Sequence, residues 1–165
     1  MNVQIREAGP EEYAETGAVT AEAYREFFAE ADAELRAYLE EIADVAGRAP
    51  RTTILVAVDG DRIIGSATLE LDGRTEEDAE PLAPDEAHIR MLGVHPDARG
   101  AGVGRQLMYA CEQRARDAGR MRLTLHTTTL MRAARQMYAN LGYRRSEDRV
   151  YPDGFVLLGY TKQLE

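Results

Sequence analysis

The stretch that most restricts this chain is Arg99-Gly100-Ala101-Gly102-Val103-Gly104. It follows an apolar run ending in Val94-His95-Pro96 and opens a helical pattern with Leu107, Met108, Cys111 and Ala115 on one face. Alternate glycines at the mouth of a helix let a ligand approach the backbone, because no Cβ intervenes. The first helical N–H groups have no intrahelical partner, and the helix dipole puts about half a positive charge there. A pyrophosphate is the ligand such a place suits best. A P-loop would need Gly-Lys-Ser/Thr where this chain has Gly104-Arg105-Gln106. A dinucleotide site would need a carboxylate at the end of the next strand, about 20 residues on. That strand, Arg122 to Thr127, has none. A glycine turn with a purely structural task is the competing reading of these residues alone.

The rest of the chain reads as alternating strands and helices. Val3 to Glu7 is a strand pattern, and Gly9-Pro10-Glu11-Glu12 starts a helix lined by Tyr13, Val19, Tyr24, Phe27 and Phe28. A second helical pattern carries Leu35, Tyr38, Leu39, Ile42 and Val45 and ends at Gly47 and Pro50. Between the two lie Glu26, Glu30, Asp32 and Glu34, a solvated acidic face on composition alone. Thr53–Val58 and Arg62–Leu69 form a hairpin around Asp59-Gly60, and Gly65 marks a bulge or a close backbone approach. A polar loop follows from Asp72 to Asp85, including Glu76, Glu77 and Asp78. Ala87–Val94 is apolar enough for a central strand covered on both faces. The glycine turn, its helix as far as Gly119, and the strand Arg122–Thr127 then imply a parallel pair with a right-handed crossover. A short helix with Leu130, Ala134, Met137, Tyr138 and Leu141 on one face ends at Gly142. A hairpin closes the chain, with Arg145–Tyr151 and Phe155–Thr161 joined by Pro152-Asp153-Gly154. The expected class is α/β, one domain over residues 1–165, with a mixed sheet of about seven strands flanked by about four helices.

Two motifs in this order resemble the Gcn5-related N-acetyltransferases. The first is Arg-x-x-Gly-x-Gly at Arg99–Gly104 after a strand ending in Val-His-Pro. The second is Ala134-Arg135-Gln136-Met137-Tyr138-Ala139-Asn140-Leu141-Gly142-Tyr143, similar to the family's Ala-x-x-Leu/Phe-Tyr-x-x-x-Gly-Phe/Tyr. The resemblance spans nearly the whole chain and implies that family's acyl-coenzyme A fold. It implies acetyl-coenzyme A as acyl donor and direct transfer of the acetyl group to an amine, either a small molecule or a peptide amine. By the same likeness Arg99, Gly100, Ala101, Gly102, Val103, Gly104 and Arg105 would hold the pyrophosphate. Leu92, Gly93 and Val94 would hold the pantetheine arm, with an N–H near Leu92 or Gly93 polarising the acetyl carbonyl. Tyr138 matches the general acid that protonates the leaving thiolate. His88 stands where several members place a catalytic glutamate, with Glu86 two positions earlier on the same strand face. Either residue, or a chain of waters, would serve as the base. Met131 occupies the place of a cofactor-contacting asparagine, and Thr127 and His126 are neighbours able to contribute a contact in its stead. The helix pair near Phe27–Tyr38 and the hairpin near Tyr151–Phe155 would wall the acceptor site. The resemblance also allows an assembly of two chains.

Composition removes other classes. A net charge of -9 is wrong for nucleic acid, which needs a basic stripe. No apolar run reaches membrane-spanning length, and Met1–Arg6 has a strand pattern where a signal peptide would be apolar. Cys111 is the only cysteine and falls on a core face, which excludes a disulfide framework and suits a reducing cytoplasm. His88, His95 and His126 lack metal-ligand spacing, so no metal is expected. No Gly-x-Ser-x-Gly elbow is present for a hydrolase. Two rivals stay open: a non-catalytic acyl-coenzyme A sensor or interaction module on the same fold, and a nucleotide-binding domain.

Overall fold

The computed structural model describes residues 1–28, 33–76, 79–152 and 154–165, with the side chain of residue 34 also left undescribed. The acids Glu30, Asp32, Glu77 and Asp78, the side chain of Glu34, and Asp153 of the expected turn thus lie outside the described residues. In chain order the elements are β1 (Val3–Glu7), α1 (Tyr13–Arg25), α2 (Ala33–Ala43), α3 (Val45–Arg48), β2 (Thr53–Asp59), β3 (Arg62–Glu70) and β4 (Glu86–Val94). They continue with α4 (Val103–Asp117), β5 (Arg122–Thr127), α5 (Arg132–Asn140), β6 (Arg144–Val150) and β7 (Val156–Gln163). The strands make one seven-stranded sheet in the order β1-β2-β3-β4-β5-β7-β6. Among the described residues only β4 and β5 run parallel, joined by the crossover through α4.

Each face of the sheet takes one long helix. Gly93 of β4 faces α1, and a Cβ there would lie 3.0 Å from the Ala23 methyl. Gly65 on the neighbouring strand faces α4, where a Cβ would lie 3.3 Å from Leu107 and 3.0 Å from the Gly93 carbonyl oxygen. Gly65 also adjoins a register shift between β2 and β3, so both of the roles expected for it are present. On α4, Val103, Leu107, Met108, Cys111 and Ala115 are buried as the apolar stripe required. Burial pushes the Cys111 thiol up to about 12, so it is an inert core residue. Glu112 is also buried there, bonded by Tyr143 Oη at 2.8 Å and by Lys162 Nζ at 3.1 and 3.2 Å. Both α4 and α5 end in a left-handed glycine, Gly119 at φ 78° and Gly142 at φ 92°. In each, the next residue's N–H reaches back to the last turn: Arg120 to Ala115 at 2.9 Å, Tyr143 to Tyr138 at 3.0 Å.

The expected single helix from Leu35 to Gly47 is two, which raises the helix count above the four anticipated. Asp44 breaks it with ψ 68° and accepts a bond from Gly47 N through its side chain, capping α3. The exposed carbonyls at the end of α2 are met by a buried arginine. Arg48 donates to the carbonyls of Glu41 and Ile42 at 2.8 Å each and of Asp44 at 3.2 Å, with Nε on Thr68 Oγ1 at 3.0 Å.

Gly17 lets α1 and α2 touch: a Cβ on it would lie 2.0 Å from the Ala43 carbonyl oxygen. Gly17→Ala should therefore destabilise the protein by about 1–3 kcal/mol, as overpacking does, although alanine favours helix more than glycine. Urea unfolding of the two proteins measures this, and a more stable variant would show that the contact yields.

Candidate active site

β4 and β5 are paired only from Glu86↔Arg122 to Ile89↔Leu125. Beyond that point β4 runs on to Val94 and β5 to Thr127 with no pairing between them. The parting coincides with a bulge: Ser66↔Gly93 and Thr68↔Arg90 leave one extra residue on β4 opposite Ala67. Met91, within that bulge, has φ 54°, the single left-handed non-glycine among the described residues. Between the parted strands and the helices lies a cavity of about 760 Å³.

Leu92, Thr127, Met131, His88 and Tyr138 all border this cavity, whereas Gly93 and Val94 do not. Tyr138 is 5 % exposed and its ring packs against Tyr143 and Tyr160 at 6.0 and 5.6 Å. Burial raises its pKa well above the ordinary phenol value, so it keeps its proton. His88 is 3 % exposed, with its ring 5.4 Å from that of His126. Burial, followed by Arg74, His126 and Arg90, lowers its pKa well below 6.5, and His126 is lowered mainly by burial too. Glu86 is not on the cavity. It stands behind His88, joined to it through Thr124: His88 Nδ1 lies 2.7 Å from Thr124 Oγ1, which donates to Glu86 Oε2 at 2.5 Å.

The glycine turn sits after the end of β4. Gly100 and Gly102 have φ 84° and 80°, and a Cβ on either would meet nothing within 4 Å. The first intrahelical bond runs from Gln106 N to Gly102 O at 3.0 Å, so the preceding N–H groups of Val103, Gly104 and Arg105 have no helical acceptor. Val103's side chain is in the core, and Gly104 lies against Met137, where a Cβ would be 3.3 Å from Sδ. Ala101 and Arg105 are exposed. Arg99 is turned elsewhere: its guanidinium pairs with Glu26, donates to Ala23 O at 3.0 Å and lies over Phe27. The turn thus presents backbone rather than that side chain. Glu26, read as part of an acidic face, is its partner.

The far side of the cavity is aromatic and charged. Tyr24, Phe28 and Tyr38 come from α1, the turn after it and α2, and Tyr151 and Phe155 come from the closing hairpin. Glu76 bridges inward, accepting from Tyr151 Oη at 2.9 Å and pairing with Arg149 at 2.7 Å. Glu41 stands 3.6 Å from Arg90, which also donates to Thr75 Oγ1 at 2.5 Å. Thr128 Oγ1, on the same lining, is the one buried side-chain polar atom without a hydrogen bond among the described residues. Thr124, Arg90, Thr128, Glu41 and Glu76 are the site residues the sequence reading did not single out. Their roles come from strand register and loop closure, which leave no local pattern.

A histidine held neutral by folding makes stability depend on pH. The unfolded chain binds the proton near 6.5 and the folded one only lower, so stability is full above about 6.5 and falls as pH drops toward the folded value. His88→Gln should flatten the decline of Tm between about pH 6.5 and 5, where the wild type loses stability. Parallel declines would show that His88 is not the group responsible.

This geometry agrees with what the chain is similar to. The family model described as acetyltransferase (GNAT) matches residues 17–143. The N-acetyltransferase YycN of Bacillus subtilis (strain 168), itself uncharacterized, is 34% identical over 42% of this chain and 45% of its own length, so the chain spans less than half of that relative. The Salmonella typhimurium protein yncA, solved with its cofactor acetyl-CoA, superposes with a TM-score of 0.71 at 19% identity over 100% of this chain and 95% of its own. The PaiA N-acetyltransferase of Thermoplasma acidophilum, solved with coenzyme A, gives 0.75 at 15% identity over 99% of each chain. With the parted strands, the glycine turn and the tyrosine on α5 in one fold, the chain belongs to the GNAT acetyltransferase family.

Proposed function

We propose that this protein is an acetyl-coenzyme A-dependent N-acetyltransferase that transfers acetyl directly to an amine. The observation that carries the reading is the opening between β4 and β5, which brings His88, Leu92 and Tyr138 to one cavity with the glycine turn following β4. Two features fit the donor. The turn offers three unpaired helical N–H groups beside open space at Gly100 and Gly102, suited to a pyrophosphate. The unpaired Thr128 hydroxyl and the unpartnered edge of β4 suit the amides of a pantetheine arm, taken up as an added strand.

When bound, acetyl-coenzyme A supplies a thioester whose carbonyl carbon accepts the amine nitrogen and whose C–S bond breaks. The chain's residues manage the protons and charge. The acceptor ammonium gives up its first proton to water, and His88, neutral in the fold, takes the next one as the C–N bond forms and the nitrogen becomes far more acidic. The N–H of Leu92 or Gly93 stabilises the oxygen that gains charge during attack. Tyr138 gives its proton to the departing sulfur, and the second amine proton, lost once the C–N bond has formed, restores the balance. The sum is one amide, one thiol and one proton released. Burial raises the basicity of a thiolate in this cavity as it raises the Tyr138 phenol, so the transfer between them stays feasible. The aromatic wall of Tyr24, Phe28 and Tyr38 suits a cationic amine.

Calorimetric titration with acetyl-coenzyme A, ATP and NAD tests the donor; selective binding of acetyl-coenzyme A is expected, and its absence would end this reading. Tyr138→Phe should lower kcat by about 10²–10⁴-fold, measured by thiol release, with little change in acetyl-coenzyme A affinity. Gly102→Val should weaken that affinity about tenfold or more, because a Cβ would occupy the open space and the left-handed backbone would be strained by about 1–2 kcal/mol. Binding without turnover on any amine would favour the sensor alternative.

A further inference from the structure

His88 has two ring nitrogens, and a base needs one of them free of hydrogen. Nδ1 lies 2.7 Å from Thr124 Oγ1. The Thr124 hydroxyl has a single proton and two other neighbours, Glu86 Oε2 at 2.5 Å and the Ala87 carbonyl oxygen at 3.4 Å. Both are acceptors only, since an ionised carboxylate and a carbonyl carry no hydrogen. Were the hydroxyl to point at Nδ1, two oxygens would face each other at 2.5 Å with no proton between them. The hydroxyl proton therefore goes toward Glu86, and Thr124 must accept from Nδ1–H.

We propose that Thr124, backed by Glu86, is a positioning residue that fixes His88 as the Nδ1–H tautomer and leaves Nε2 as the proton acceptor of the cavity. The arrangement is over-determined in its own right. Glu86 is held by the Ala83 N–H at 3.1 Å on its other oxygen and lies 3.7 Å from Arg122. Thr124 and His88 are direct partners in the short parallel ladder, so the contact is fixed by the backbone. The positive field at the ring comes from Arg74 in the loop after β3, from Arg90 of β4 and from His126 of β5, whose ring is 5.4 Å away. Glu70, opposite His88 on β3, is occupied by Arg74 and Thr75. Among the described residues the hydrogen-bond partner of the ring is Thr124, and it meets Nδ1.

The inference rests on the reading of His88 as base, but its test does not depend on activity. Long-range ¹H–¹⁵N spectra of the free protein at neutral pH report which nitrogen carries hydrogen. The wild type should show His88 with Nδ1 protonated and Nε2 bare. Thr124→Val, close in shape and suited to a strand, should give a mixed or Nε2–H ring, and Thr124→Ser should restore the wild-type spectrum. In turnover, Thr124→Val should lower kcat by about 10- to 100-fold, a part of what a positioned base contributes, with KM for acetyl-coenzyme A unchanged and with rescue by Thr124→Ser. An Nε2–H ring in the wild type, or an unchanged spectrum in Thr124→Val, overturns the proposal even if acetyl transfer is fast. The expected spectra in a protein without turnover would leave the positioning intact and remove the function proposed above.

Discussion

Everything at the site depends on two parallel strands that stop pairing partway along. The β4–β5 ladder ends at Ile89↔Leu125, and each strand continues alone. Unpaired backbone groups in a protein interior cost free energy, so such a parting survives only if the surroundings hold it open. Three supports do so. Gly93 lets α1 settle onto β4, the Met91 bulge turns that strand, and α5 inserts Tyr138 among Tyr143 and Tyr160 on the β5 side. Gly104 then lets the helix after the glycine turn settle against Met137 of α5.

The charged groups divide by function. Glu112 with Tyr143 and Lys162 forms a buried knot under α4, away from the cavity, where it fixes the packing of the closing strand. Glu70 with Arg74 and Thr75 anchors the loop after β3, and Glu76 with Tyr151 and Arg149 carries that loop across to the closing hairpin. This side of the cavity is therefore bounded by two segments that hold each other through one carboxylate. Charged contacts of this kind are satisfied within the protein, which lets the wall carry acids without leaving them bare.

The parts of the site legible in the sequence are those whose backbone demands a residue type. Gly100, Gly102, Gly119 and Gly142 sit at positive φ, where glycine is strongly preferred, so turn and caps could be read directly. Tyr138 stood out only through its motif, since its spacing with Ala134 and Leu141 equally describes a core tyrosine. Met91 was not legible: its side chain gives no sign of a left-handed backbone, which is imposed by the sheet. Thr124 reads as a plain strand residue and Glu86 as a candidate base, with no sign that the two are linked, because that link runs across the ladder and a sequence does not state its own strand register. Arg99 was assigned by motif to the turn, whereas the end of α1 decides where its guanidinium goes. Asp44 carried a legible signal, a capping residue inside a helical pattern, that the apolar periodicity around it outweighed.

The positive charge of this chain is carried almost wholly by guanidinium groups. Of the twenty Lys and Arg residues, Lys162 alone is lysine, and its ammonium is engaged by Glu112 and lies over the Tyr143 ring. Guanidinium groups stay protonated and are poor nucleophiles. The surface can therefore present positive charge without presenting a side-chain amine.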